Sequence, residues 1–390
     1  MTTDKFATMK STMTPNSETV FSTMSANSSD SFVTSDKFLN ENMTIAAMIV
    51  ATTEGPHQGF RFDDYTQRAI MATIICLSNV VGFVGNVMVL LAVNLSRKLQ
   101  TRTNVFVVNL AVADLLTCSS TPFTAVALFS KVGWPMPEIV CAIMSGFTSI
   151  GVACSILTLA SISINRYVLI MKTPSTYRSI YTPKKIAAMV AFTWVYPALI
   201  CCLPVFFGVG KLGYSDKYKT CTQDTSHETS AILSHTASAL IYPIPLIVVF
   251  VCYFKIYRHI TGHMKKMMGK GKGVEMTDTS NSSNVASTTQ LHKNPPASFS
   301  KRQVEITKNL FYVVCAFVAC LSPFAITLMI PPSQPAIPWT GMIIIFNSAV
   351  NPIIYGAKHP HFKEVFRHML RCRYHTMPEP SGCLRKIRSR

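Results

Sequence analysis

Ser161-Ile-Ser-Ile-Asn165-Arg166-Tyr167-Val168-Leu169-Ile170 closes a long, nearly uncharged run that starts near Cys141. A permanent charge between an asparagine and a tyrosine, with apolar residues on both sides, is either a cation at a membrane edge or a buried cation awaiting a partner. Composition decides for the membrane. The 390 residues are 49% hydrophobic and only 14% charged, against about a quarter charged in ordinary soluble domains.

The formal net charge of +18 does not mark a nucleic-acid protein. The basic residues fall in alternate connections: Arg97, Lys98 and Arg102; Lys172, Arg178, Lys184 and Lys185; the stretch from Lys255 to Lys308; and the tail from Lys358. A basic face for nucleic acid comes without spanning runs, whereas Lys and Arg held on one side orient a membrane protein. Runs of spanning length fall at roughly 69–94, 104–130, 140–170, 186–209, 231–257, 309–330 and 338–356, each near the about 20 residues a helix needs to cross a bilayer. Hydrocarbon satisfies no backbone hydrogen bonds, so the spans are helices. The expected fold is an all-α membrane protein, a seven-transmembrane helix bundle with its N-terminus outside and its C-terminus inside.

The expected layout is a disordered extracellular segment at about 1–66, a bundle at about 67–357 with a flexible inner loop near 261–300, and a basic tail at about 358–390. The first segment holds the glycosylation sequons at Asn27 and Asn42. Past Pro360, the residues Phe362, Val365, Phe366, Met369 and Leu370 recur at helical spacing, which predicts an amphipathic helix on the membrane surface. Cys372 beside its end is a candidate palmitoylation site. Of 12 cysteines, only Cys141 and Cys221 fall on the outer face, where oxidising surroundings favour a disulfide between them.

Asp114 is the only acid inside the seven runs, and an intramembrane carboxylate is a functional candidate by default. Pro243 and Pro245, Pro323 and Pro352 each remove a helical hydrogen bond, which predicts kinks in the fifth, sixth and seventh spans. A membrane enzyme would need convergent catalytic side chains, and Asp114 stands alone. A transporter or ion channel is the alternative of another class, but paired broken helices and an internal repeat are missing.

The ordered set Gly85-Asn86, Leu110-Ala-Val-Ala-Asp114, Cys141, Asn165-Arg166-Tyr167, Trp194, Pro245 with Tyr253, Phe317 with Pro323, and Asn351-Pro352-Ile-Ile-Tyr355 resembles the rhodopsin-like (class A) G-protein-coupled receptors. The resemblance covers 67–372 and implies a receptor at the plasma membrane, no enzyme, with a heterotrimeric G protein, arrestin and receptor kinases as partners. It implies that Arg166 receives the G protein, with Tyr253 and Tyr355 swinging toward it. It further implies a packing switch of Ile156, Pro245 and Phe317, and an internal sodium site of Asp114, Ser155, Asn347, Ser348 and Asn351. Beyond that ion no cofactor is expected.

Two departures from the family pattern stand out. Asn165 replaces the acid that pairs with the arginine at rest, leaving Glu305 or Gln303 to compensate, and a weaker lock implies ligand-independent signalling. Leu321 replaces the tryptophan two residues before Pro323. Thr148 stands where amine receptors keep an aspartate, and Ile345 where opsins carry the retinal-bearing lysine. The expected pocket of Thr148, Val152, Ser238, Leu321, Phe324 and Ile345 suits a neutral or lipid-like molecule. Lys131, Lys211, Lys217 and Lys219 are expected as solvated loop lysines able to draw in a carboxylate. Within the family, the chain resembles moody-type invertebrate orphan receptors and, less closely, melatonin receptors; the moody-type resemblance implies Gi/o-type coupling. Pro204 and Ile241 replace the Asn and His of melatonin receptors; a melatonin-like or peptide ligand is the alternative.

Overall fold

A computed structural model describes residues 60–271, 301–377, 379–382, 384 and 385, with side chains left undescribed at 263–271, 301–310 and 331–333. The sequons at Asn27 and Asn42 lie outside it, as do the side chains of Gln303 and Glu305. Among the described residues ten α-helices run in order: α1 Tyr65–Leu95, α2 Asn104–Phe129, α3 Glu138–Met171, α4 Pro174–Ile180, α5 Pro183–Phe206, α6 Ser230–Ile241, α7 Pro243–Gly271, α8 Lys301–Met329, α9 Ile337–Lys358 and α10 Pro360–Leu370. Seven spans are long and apolar enough to cross a membrane: α1, α2, α3, α5, the pair α6 and α7, α8, and α9.

Prolines shape the spans as expected. The fifth breaks at Tyr242, between α6 and α7, where Pro243 and Pro245 remove two successive donors. In α9, Pro352 frees the carbonyl of Ser348, and Asn86 of α1 takes it up, donating Nδ2 at 2.9 Å. That contact requires the helices to touch. A Cβ on Gly85 would lie 2.6 Å from Pro352 Cγ, so only glycine admits the approach. A second polar knot joins three spans. Asn109 donates Nδ2 to Thr158 at 2.7 Å and to Thr193 at 3.0 Å, while Trp194 Nε1 donates to Asn109 Oδ1 at 2.8 Å. Each buried polar group finds a partner from another helix, which sets the helices in register.

Three features depart from the sequence reading. The all-α expectation gains a β-hairpin, β1 Leu212–Ser215 against β2 Thr220–Gln223, with Tyr214 opposite Cys221. It covers one end of the bundle, here called the disulfide end. Phe60 to Thr66 also belong to the bundle: Phe62 is buried, packs edge-on to Trp339 at 6.4 Å, and donates its N–H to Lys217 O at 2.8 Å. On α10, Phe362, Val365, Phe366 and Met369 are buried against the protein rather than kept for lipid, and only Leu370 stays exposed. Tyr355 stacks on Phe362 at 5.4 Å, and Gly356 leaves room for Phe366. The apolar stripe predicts the helix correctly; its packing partner is the end of α9.

Candidate functional site

Asp114 lies mid-bundle on α2 and is fully buried. Ser155 of α3 donates Oγ to its Oδ1 at 3.0 Å, and Asn351 of α9 donates Nδ2 to its Oδ2 at 2.8 Å. The Ser348 hydroxyl is a further group acting on the carboxylate. Two amide oxygens, Asn347 Oδ1 and Asn351 Oδ1, are buried without any hydrogen-bond partner. Beside them lies a small cavity of about 10 Å³, room for one water or ion, lined by Val152, Ser155, Ile156, Phe317, Leu321 and Ile344, among others. A carboxylate, hydroxyls and orphaned amide oxygens are hard donors, so the five expected sodium-site residues are gathered and chemically suited to that ion.

The same cavity brings together most of the expected switch and part of the expected pocket. Ile156 and Phe317 both line it, while Pro245, buried on α7, is not part of its lining. Val152 and Leu321 line it, and Ile344 does so rather than Ile345. Leu321 is buried where the family pattern has a tryptophan. Thr148 binds Ser120 Oγ at 2.8 Å, a partner the sequence does not reveal. Phe324 meets Tyr242 edge-on at 6.4 Å, while Ser238 is half-buried on α6. Pro323 sits within α8, where Ser322 Oγ donates back to Val318 O at 2.7 Å.

The four outer lysines are engaged rather than free. Lys211 pairs with Glu138 at 2.5 Å and Asp224 at 3.5 Å; Lys219 pairs with Asp216 at 2.5 Å and Asp63 at 3.3 Å. Lys217 donates to Gln334 Oε1 at 2.7 Å, and Lys131 lies over the Tyr65 ring at 4.7 Å. The hydrogen bond from Lys219, with Arg61 close by, holds the Asp216 carboxyl below its usual range. Cys141 and Cys221 are disulfide-bonded, tying α3 to β2.

At the opposite end Arg166 of α3 is buried, with Nε lacking any partner. Among the described residues it joins no ion pair. Asn165 does not hydrogen-bond it. Its Oδ1 accepts from Thr103 Oγ1 at 2.9 Å, and its Nδ2 donates to Tyr177 OH at 3.3 Å. Tyr177 arrives on α4, a helix begun by Thr173 as N-cap and Pro174 at the first turn. Tyr253 and Tyr355 lie within electrostatic reach of Arg166, and both hydroxyls are buried without partners. Tyr167 faces Lys255, whose Nζ sits 5.8 Å from its ring. Sequence reading missed Thr103 and Tyr177, because contacts across two different loops leave no local spacing signal.

These positions match known proteins. The family described as 7 transmembrane receptor (rhodopsin family) matches residues 85–355. The chain is 27% identical over 331 residues to the 5-hydroxytryptamine receptor 4 of Homo sapiens, covering 81% of this chain and 83% of that one. It is 30% identical to the alpha-1D adrenergic receptor of Mus musculus (74% of this chain, 55% of that one). It is 28% identical to the Gq-coupled rhodopsin of Mizuhopecten yessoensis (76% and 58%). The crystal structure of squid rhodopsin shares the fold, with a TM-score of 0.63 at 22% identity over 82% of this chain and 91% of that one. The chain belongs to the rhodopsin family of seven-transmembrane receptors, class A of those that signal through heterotrimeric G proteins.

Proposed function

We propose that this receptor sits in the plasma membrane with its N-terminus outside. In this reading it couples a neutral or lipid-like small molecule, held among Thr148, Val152, Ser238, Leu321, Phe324 and Ile345, to a Gi/o-type G protein at Arg166. The observation that carries the ligand class is the make-up of those six side chains, apolar with a few hydroxyls and no charge. Relatives named for an amine or for rhodopsin do not transfer their ligands. Thr148 supplies only a hydroxyl already shared with Ser120, so a cationic amine would be desolvated without a counter-ion. Ile345 cannot form a Schiff base. The covering hairpin and Phe62 favour a small ligand over a peptide.

The Gi/o reading rests on the narrower resemblance to moody-type receptors, and the name of the scallop relative favours Gq instead. Nucleotide exchange on purified Gi/o and Gq, side by side, decides between them: faster exchange on Gq alone removes the Gi/o reading. A ligand screen reading lowered cyclic AMP finds the agonist. Phe324→Ala should abolish the response while surface expression persists, and an unaffected response places the ligand elsewhere.

In the same reading Asp114, Ser155, Asn347, Ser348 and Asn351 hold a sodium ion, the two orphaned amide oxygens being its natural ligands. Sodium should raise the melting temperature over an equal concentration of N-methylglucamine. Asp114→Asn should erase that difference; equal sodium stabilisation in the variant refutes the site. Arrestin and receptor kinases act on the inner loop and tail, Asn27 and Asn42 carry the glycans, and Cys372, exposed past α10, is the palmitoylation site.

A further inference from the structure

The chain beyond α10 does not leave the bundle. Arg373 N donates to His368 O at 2.8 Å and Cys372 N to Met369 O at 3.0 Å, with Cys372 in the left-handed region at φ 51°. That pair of bonds is the helix-ending motif which reverses the chain. The returning segment then pairs with the loop after α1, Pro380 forming an antiparallel bridge to Ser96. Arg97 N donates to Glu379 O at 3.0 Å, and Ser381 N donates to Leu95 O at 2.9 Å. Met377, Ser381 and Leu384 are buried, and the two apolar ones join the cluster containing Leu99, Val365, Phe366 and Met369. Ser381 Oγ accepts from Leu384 N at 3.3 Å and so caps the last turn. An ion pair between Lys98 and Glu364 at 3.5 Å ties the same loop to α10.

We propose that residues 377, 379–382, 384 and 385 form a strap that the resting receptor closes over the first inner loop and α10, and that signalling requires its release. Two features make it releasable rather than permanent. Glu379, at φ 47°, precedes a proline, a position that favours extended backbone, and Cys372 is likewise a side-chain-bearing residue in the left-handed region. The contact is small: two interstrand backbone bonds and two apolar side chains. The strap supplies restraint at the end of the bundle where Asn165 withholds the usual carboxylate. Because α10 follows α9 directly and its Phe362 stacks on Tyr355, its freedom governs how far Tyr355 can move toward Arg166.

The test uses the full-length receptor in nanodiscs, in a background lacking Cys372 and Cys383. One variant joins the bridge covalently (Ser96→Cys with Pro380→Cys); the other loosens it (Met377→Ser with Leu384→Ser). Hydrogen exchange, which needs no G protein, reads the strap itself: amides of Arg97, Ser381 and α10 should exchange at least tenfold slower in the locked form than in the loosened one. Basal nucleotide exchange on the G protein should rise severalfold in the loosened variant, fall below the parent in the locked one, and recover on reduction. Equal α10 exchange in the two variants shows that the tail restrains nothing and overturns the proposal. A clear difference in α10 exchange with identical G-protein activation in both shows passive packing and overturns its regulatory half. Failure of the Gi/o reading leaves the hydrogen-exchange result standing.

Discussion

The two ends of the bundle are held by different physics. At the disulfide end a covalent link joins α3 to β2, and ion pairs clamp Asp63, Asp216 and Glu138 to Lys219, Arg61 and Lys211 from other segments. At the arginine end, neutral hydrogen bonds hold Asn165, while Arg166 Nε, Tyr253 OH and Tyr355 OH are buried and unpaired. Unpaired buried polar groups are costly, so an arrangement that pairs them lies close in free energy. Tyr214 OH and Arg68 Nε are buried without partners at the disulfide end as well, so the ends differ in the covalent link and the ion pairs rather than in unpaired groups. Asp114, between them, has partners on α3 and α9 and links the two.

Breaking the stapled end should give the largest effect. Cys141→Ser removes a cross-link between residues 80 apart in sequence, and closure of so long a loop is worth about 4 kcal/mol. Thermal unfolding in detergent, and loss of surface expression, check this. At the other end, Asn165→Asp places a carboxylate beside Arg166 and should lower basal nucleotide exchange about fivefold, equivalent to about 1 kcal/mol; unchanged basal exchange removes the weakened-lock idea. Thr103→Val deletes the donor to Asn165 Oδ1 and should cost about 1 kcal/mol. Basal exchange should rise at the same time, because α4 and the Asn165 side chain lose an anchor.

The smallest effect is one of pH. The folded carboxyl of Asp216 lies below the usual range because of its hydrogen bond from Lys219. A depressed carboxylate contributes stability that is complete above about pH 4, the ordinary carboxylate value, and is lost as pH falls through the lower folded value. Tryptophan fluorescence, which includes Trp339 against Phe62, should therefore change on acidification below about pH 4. Asp216→Asn should flatten that step.

Seven spans, their proline breaks, the cysteine pair and the lone intramembrane acid were all readable in the sequence, because each depends on composition or local spacing. Most helix ends agree to within a few residues for the same reason, hydropathy and proline acting locally, but α7 runs on to Gly271 and α8 starts at Lys301, well beyond the apolar runs. The α10 stripe was legible as a helix, yet its burial against Tyr355 and Gly356 was not, since an amphipathic pattern does not say whether lipid or protein covers it. The hairpin strands are four residues each, too short for alternation to separate them from loop.

What the sequence determined by itself is the membrane bundle and the identity of two of its buried charges, Asp114 and Arg166, because a bilayer leaves helices as the only solution and makes a charge within a span conspicuous. What only the tertiary structure decided is whom those charges and their neighbours meet. Asn165 turns to Thr103 and Tyr177 instead of to Arg166, and the tail returns to Ser96. Such pairings are made between segments far apart in the chain, and they are chosen by packing and hydrogen-bond geometry that no local pattern encodes.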